Sequence, residues 1–177
     1  MKRRFGEPDY LSRIQPVTSK ELEFIKSTTM NGRIHDITLF ISKNDGYIFI
    51  SKAFYPPGLF RAPSGGVNFG EDFEEGAKRE AREETGVEIE LEIFMLIIDV
   101  QFKSEDDFLD WRSYIFKASY VSGEIEPQDK HEISAARLVH LDEIPKFREI
   151  MLSSGRGGFA YRAFLTDESI KRLKPNG

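Results

Sequence analysis

Two short β-rich runs open the readable part of the chain, Ile37-Thr38-Leu39-Phe40-Ile41 and Tyr47-Ile48-Phe49-Ile50, with Asn44-Asp45-Gly46 between them. Turn residues between β-branched and aromatic runs predict a hairpin. The stretch from Pro56 to Gly70 is rich in Pro and Gly and reads as loop, with a short strand over 59–62. The period then changes: Asp72 to Thr85 reads as a helix stopped by Gly86, where a C-terminal glycine belongs. Ile89, Leu91 and Ile93 alternate with Glu88, Glu90 and Glu92, a half-exposed strand that runs on into the core. Residues 104–110 read as a turn, 111–121 as a strand and 136–141 as another. Asp142 is expected to cap a helix over 143–152, with Pro145 tolerated in its first turn. Gly155 to Gly158 break it, and a last short helix is expected after Thr166.

Strands interspersed with helices make an α/β domain with a mixed sheet, expected over 34–153, and residues 154–177 are expected to form a tail. Residues 1–33 are mixed and polar, with a helix predicted from Ser19 to Ser27 after Thr18. This extension has two readings: a plain surface helix, or an arm that packs on a second copy of the chain in a homodimer. No repeat or low-complexity segment is present.

Composition narrows the function. The 177 residues are 40% hydrophobic and 31% charged, with 15 Phe, enough apolar material for one substantial core. A formal net charge of −5 gives no bulk attraction to nucleic acid or to an anionic membrane. An acidic chain that handles a polyanion needs a cation in its site. There are no cysteines, which excludes disulfides, thiolate nucleophiles and Cys-ligated metals and fits a cytoplasmic protein. The basic residues Lys2, Arg3 and Arg4 have no apolar stretch behind them, so a signal peptide is not expected. The apolar run from Ile93 to Ile98 is far too short to span a bilayer.

The helix over 72–85 carries the chemistry. At about 100° per residue, Phe73, Ala77, Glu80 and Glu84 fall on one stripe, flanked by Gly76 and Glu83. Glu75, Lys78 and Arg82 lie opposite. A solvated acidic face would place those bases among the acids; here they are on the other side. Like charges on an inward stripe repel, and burying them unpaired costs several kcal/mol or more. Residues three and four apart are neighbours on a helix, so Glu80, Glu83 and Glu84 can converge on a hard divalent cation through oxygen. In front stands Pro63-Ser64-Gly65-Gly66-Val67-Asn68-Phe69-Gly70, a glycine loop of the sort that lets backbone approach a ligand closely. No Gly-Lys-Ser/Thr follows, so it is not a P-loop.

Taken together, Gly65, five residues, Glu71, seven residues and then Arg79-Glu80-Ala81-Arg82-Glu83-Glu84-Thr85-Gly86-Val87 resemble the complete Nudix box. Ala81 is small where a larger aliphatic residue is usual. The resemblance extends from about Ile34 to Leu152 and leaves out both ends. It implies an α/β/α sandwich and attack of water on a phosphorus of a nucleoside diphosphate linked to another group. It further implies that Glu80, Glu83 and Glu84, joined by the Gly65 carbonyl, hold Mg²⁺ or Mn²⁺, and that Glu71 and Arg79 pair to brace the loop against the helix.

The family often adds an acid on a loop before a late strand. Here 124–133 contains Glu124, Glu126, Asp129 and Glu132, and Glu132 is the choice because it directly precedes the run into 136–141. A plain acidic surface loop is the alternative, with the base then on the helix at Glu83. Some subfamilies carry a proline or tyrosine about fifteen residues beyond the box; this chain has Phe102, Lys103 and Ser104 there. Phe40, Trp111, Tyr114 and Phe159 are candidates to stack on a base, and Arg61 and Arg156 to touch phosphates. A sensing module on the same fold is expected to have lost part of the acid set, and the isomerase that shares the fold resembles a cysteine-using enzyme. The intact acids and the missing cysteines argue against both.

Overall fold

A computed structural model describes residues 2–29 and 32–174. In chain order the elements are α1 (Lys2–Phe5), β1 (Asp9–Pro16), α2 (Ser19–Ser27), β2 (His35–Lys43), β3 (Gly46–Ser51), β4 (Ser64–Gly65) and α3 (Phe73–Thr85). There follow β5 (Glu88–Lys103), β6 (Phe108–Ser122), β7 (Ala135–Val139), α4 (Ile144–Ser153) and α5 (Gly157–Leu173). The seven strands form one mixed sheet in the order β1-β5-β6-β2-β3-β7, with β4 added on β2. β1 runs parallel to β5 and β2 parallel to β6, while the other pairs are antiparallel.

Both faces of the sheet are covered, as the α/β/α expectation requires. On one, Ala77 and Ala81 of α3 pack with Phe5 against Ile37, Leu39, Phe94 and Phe116. Phe94 and Phe116 stack with centroids 4.4 Å apart and planes within 4°. On the other, Leu22 of α2, Phe147 and Met151 of α4 and Tyr161 and Leu165 of α5 cover Phe40, Phe49, Val100 and Phe102. No helix among the described residues is long and apolar enough to cross a membrane.

The hairpin stands where predicted, but its left-handed residue is Asn44 (φ 52°). Gly46 starts β3 and is required for another reason: a β-carbon on it would meet the Val139 carbonyl of β7 at 2.5 Å. The strand expected over 59–62 is a single bridge between Arg61 and Ile50. Asp142 caps nothing; a 3₁₀ turn over Leu141–Glu143 leads into α4, and the Glu143 carboxylate accepts from the His140 N–H at 2.9 Å.

The two ends differ most from expectation. The polar opening segment supplies a whole edge strand, Asp9 to Pro16, in register with Leu96 to Lys103. The short last helix is in fact 17 residues long and begins at Gly157, inside the supposed breaker. Its first N–H groups are satisfied from a distance, since the Glu21 carboxylate accepts from Gly157 at 3.0 Å and Gly158 at 2.7 Å. That supplies both a cap and a negative charge at the positive helix end. Arg162 of α5 then donates to buried Asp36 of β2 at 2.8 Å, and Asp36 also accepts from the Trp111 indole at 3.1 Å.

Candidate active site

The site forms where α3 runs beside β4. Asp72 caps α3 by accepting from Glu74 and Glu75 at 3.0 and 3.3 Å, and Gly86 closes it in the left-handed conformation. β4 pairs Ser64 with Thr38 and Gly65 with Ile37, which lays the glycine loop along the acidic side of the helix. Gly65 lies close against Glu80: a β-carbon there would overlap the carboxylate, which would have to move aside.

The three helix acids stand at graded depth. Glu84 is 4% exposed, and its carboxylate accepts from the Ser64 N–H at 3.0 Å. The Glu80 side chain is 15% exposed and that of Glu83 44%. Only Glu84 therefore shares the buried arc with Ala77 and Ala81; Glu83 lies at the rim. Burial pushes the Glu84 carboxyl up to about 7, Glu80 and Glu132 add to that, and Arg61 and Lys52 oppose it. Burial raises the Glu80 carboxyl as well, against the pull of Arg79.

Arg79 is the hub of the polar contacts. It donates to Glu71 at 2.8 and 3.0 Å, to Glu80 at 2.9 Å, to Glu83 at 3.1 Å and to the Gly66 carbonyl at 2.8 Å. Glu71 in turn accepts from the Asn68 N–H at 3.0 Å, so the pair ties the glycine loop to the middle of α3. The Arg79 hydrogen bond holds the Glu71 carboxyl below its ordinary range.

Glu132 reaches the same neighbourhood from the 123–134 loop. Lys52, at the end of β3, binds its carboxylate, and Glu132 is near enough to Glu84 to raise that group's pKa. The remaining loop acids do not gather there: Glu126 pairs with Lys130 at 2.8 Å in the open, and Glu124 is exposed.

One residue of the site carries no sequence signal. Lys52 is one lysine after a strand, and only the fold brings it to Glu132. Arg61, named above as a phosphate contact, is 6% exposed and donates to Tyr55, to the Ala62 carbonyl at 2.9 Å and to Ser64 at 2.8 Å. Its charge acts inward on Glu84. Among the aromatic candidates, Phe40 and Phe159 are core, Trp111 is bonded to Asp36, and Tyr114 packs edge-on to Phe73 at 5.5 Å. A separate open cleft of about 830 Å³ lies over β1, β5 and β6 and contains none of the box acids.

The donor set consists of carboxylates on successive helical turns beside a glycine backbone, all oxygen, which suits a hard divalent cation. As they stand, no three Asp, Glu or His side chains among the described residues form a ready cage, because Arg79 holds Glu80 and Glu83. Burial disfavours the charged forms of both the Glu84 and the Glu80 carboxyls, and a bound cation would reverse that. By that measure the residues fit a metal ion.

The family model for the NUDIX domain matches residues 33–156. The chain belongs to the NUDIX family. It is 31% identical over 107 residues to the NAD-capped RNA hydrolase NudC of Pseudomonas aeruginosa (strain LESB58), covering 59% of this chain and 35% of that protein. The corresponding protein of Stutzerimonas stutzeri (strain A1501) is 31% identical over 107 residues, with 36% of its length covered. The chain thus spans about a third of the length of these relatives. Among solved structures, a NUDIX hydrolase from Nitrosomonas europaea matches with a TM-score of 0.54 at 21% identity, covering 67% of this chain and 79% of that one. A UDP-X diphosphatase matches at 0.53 and 15% identity, covering 85% and 73%. At such identities these two show the fold.

Proposed function

We propose that this NUDIX protein is a divalent-metal-dependent hydrolase that cleaves the phosphoanhydride bond of a nucleoside diphosphate linked to another moiety. The observation that carries the reading is buried Glu84 beside Glu80 on α3, with the Ser64 N–H bonded to Glu84 and Gly65 lying against Glu80. The named activity of the NudC relatives, on a nucleotide-derived cap, is in keeping with it. Glu80, Glu83, Glu84 and the Gly65 carbonyl would hold Mg²⁺ or Mn²⁺, with Arg79 giving up part of its hold on Glu80 and Glu83. When bound, the ion neutralises charge developing on the phosphate oxygens and acidifies a water.

The chain's own residues do the rest. Glu71 and Arg79 fix the glycine loop against α3. Glu132, released from Lys52, takes the proton of the attacking water. Water oxygen bonds to phosphorus, the bridging P–O bond breaks, and the leaving phosphate carries away the bond electrons. A screen of nucleoside diphosphate sugars, dinucleoside polyphosphates and nucleoside triphosphates with Mg²⁺ or Mn²⁺ tests this. Hydrolysis in ¹⁸O-labelled water should put the label on a phosphate-bearing product. Label found only on a sugar carbon, or no turnover of any phosphoanhydride, would sink the reading.

A further inference from the structure

Of the cations that border the acid set and its glycine loop, Arg79, Arg61 and Lys52 are already committed. Arg79 is spent on Glu71, Glu80, Glu83 and Gly66. Arg61 is buried and bonded to Tyr55, Ala62 and Ser64. Lys52 holds Glu132. Arg33 differs. Its half-buried side chain lies against Gly66, where a β-carbon would overlap Nη1, Cζ and Cδ. Its Nε is buried without a hydrogen-bond partner among the described residues. Glu71, Glu80 and Glu83 all pair with Arg79.

An unsatisfied buried donor is rare and costs stability, so it calls for a cause. Gly66 explains where this one points. Its carbonyl accepts from Arg79, its N–H is directed to Glu80, and its bare α-carbon faces Arg33. One residue thus separates the guanidinium from the acids. An anionic substrate approaching three carboxylates on a chain of net charge −5 needs an uncommitted cation next to them. A guanidinium fork matches a phosphate's oxygens two at a time, and partial burial strengthens the attraction.

We propose that Arg33 receives a phosphate of the substrate, so that the ligand taken here is a diphosphate or longer phosphate chain laid from Arg33 across Gly66 toward the acids. The proposal rests on the phosphoanhydride reading above. Its test is the affinity of the full chain for ADP and for inorganic pyrophosphate, measured by calorimetry with Mg²⁺ and again in EDTA. Arg33→Gln should weaken both at least tenfold without lowering the melting temperature, and Arg33→Lys should recover part of the loss. Should Arg33→Gln fail to fold, Arg33→Lys carries the comparison, with affinity severalfold below wild type. Equal affinity in wild type and variant, or no binding of either probe by wild type, overturns the proposal. If no phosphoanhydride is hydrolysed while ADP binding still depends on Arg33, the hydrolase reading falls and this one stands. Turnover with KM unchanged in Arg33→Gln does the reverse.

Discussion

The main-chain carbonyl of Glu83 accepts from the Asp129 N–H at 2.9 Å, and Gln128 donates to the same oxygen at 3.0 Å. Thr85 adds a third link through its carbonyl to the Glu126 N–H at 3.0 Å. The last turn of α3 therefore carries Glu83 and Glu84 and also anchors the loop that bears Glu132. Gly86 makes the anchorage possible. It sits at φ 82°, and a β-carbon on it would overlap the Glu126 carbonyl. Gly86→Ala combines left-handed strain with a backbone clash, and should destabilise by about 2 kcal/mol or more. Urea unfolding measures this, and an unchanged midpoint would show that the loop is not held as described.

A second expectation concerns the deepest acid. Glu84→Gln should lower kcat by ~10²-fold or more, the scale of losing a main electrostatic stabiliser, and EDTA should abolish turnover of the wild type. Stability should move the other way. Without metal, Glu84 is a buried carboxylate raised by its surroundings, so the neutral amide should leave the metal-free protein as stable or more so. Thermal melts in EDTA check the second half. Full activity in Glu84→Gln would remove the metal-site assignment.

What the chain shows as sequence divides along contact range. The α3 acids, the Asp72 cap, the Gly86 stop and the glycine loop sit within one short stretch, where spacing fixes geometry. β1 was hidden because its partner, Leu96 to Lys103, lies far along the chain and its outward residues leave little alternation to read. α5 was cut short because Gly157 and Gly158 look like a breaker. Gly157 is there for closeness, since a β-carbon would overlap the Pro16 carbonyl, and the distant Glu21 supplies the cap. Lys52 and Arg33 are illegible for the same reason: each is a lone base, and only the fold lays Lys52 against Glu132 and Arg33 against Gly66.

The imidazole of His35 gives a pH test near this corner. Burial lowers its pKa below the ordinary value of 6.5, the Arg33 charge lowers it further, and Asp36 acts in the opposite sense. The folded protein favours neutral imidazole, so the unfolded chain takes up the proton first as pH falls. The stability His35 contributes is therefore complete above the unfolded value and is lost as pH drops through the folded one. His35→Gln should flatten the acid side of the stability profile below about pH 7. In an NMR titration, Arg33→Gln should move His35 upward, toward its ordinary value. A resonance that titrates unmoved would place the Arg33 charge elsewhere.

Glu132 is where activity, position and pairing can be separated. A carboxylate that holds a metal ion is a poor base, because the cation lowers its pKa. An acid outside the helix serves better, and Glu132, whose charge acts on Glu84, has a side chain 54% exposed. Its pairing with Lys52 means that base function requires the salt bridge to open, as a loop closing on substrate would allow. Glu132→Gln should therefore cut kcat by ~10²-fold or more with little change in KM, the pattern of lost general-base action. Glu124→Gln and Glu126→Gln should behave as wild type, since one is exposed and the other is paired with Lys130 away from the site. Lys52→Met decides between the roles of the pair. If Lys52 only restrains the base, kcat holds or rises. If the bridge is what positions Glu132, kcat falls as far as in Glu132→Gln and the double variant is no worse than either single one. A large loss in Glu126→Gln with none in Glu132→Gln would assign the base to the wrong end of the loop. With none of the three loop acids mattering, Glu83 becomes the base, and Glu83→Gln should then show the loss.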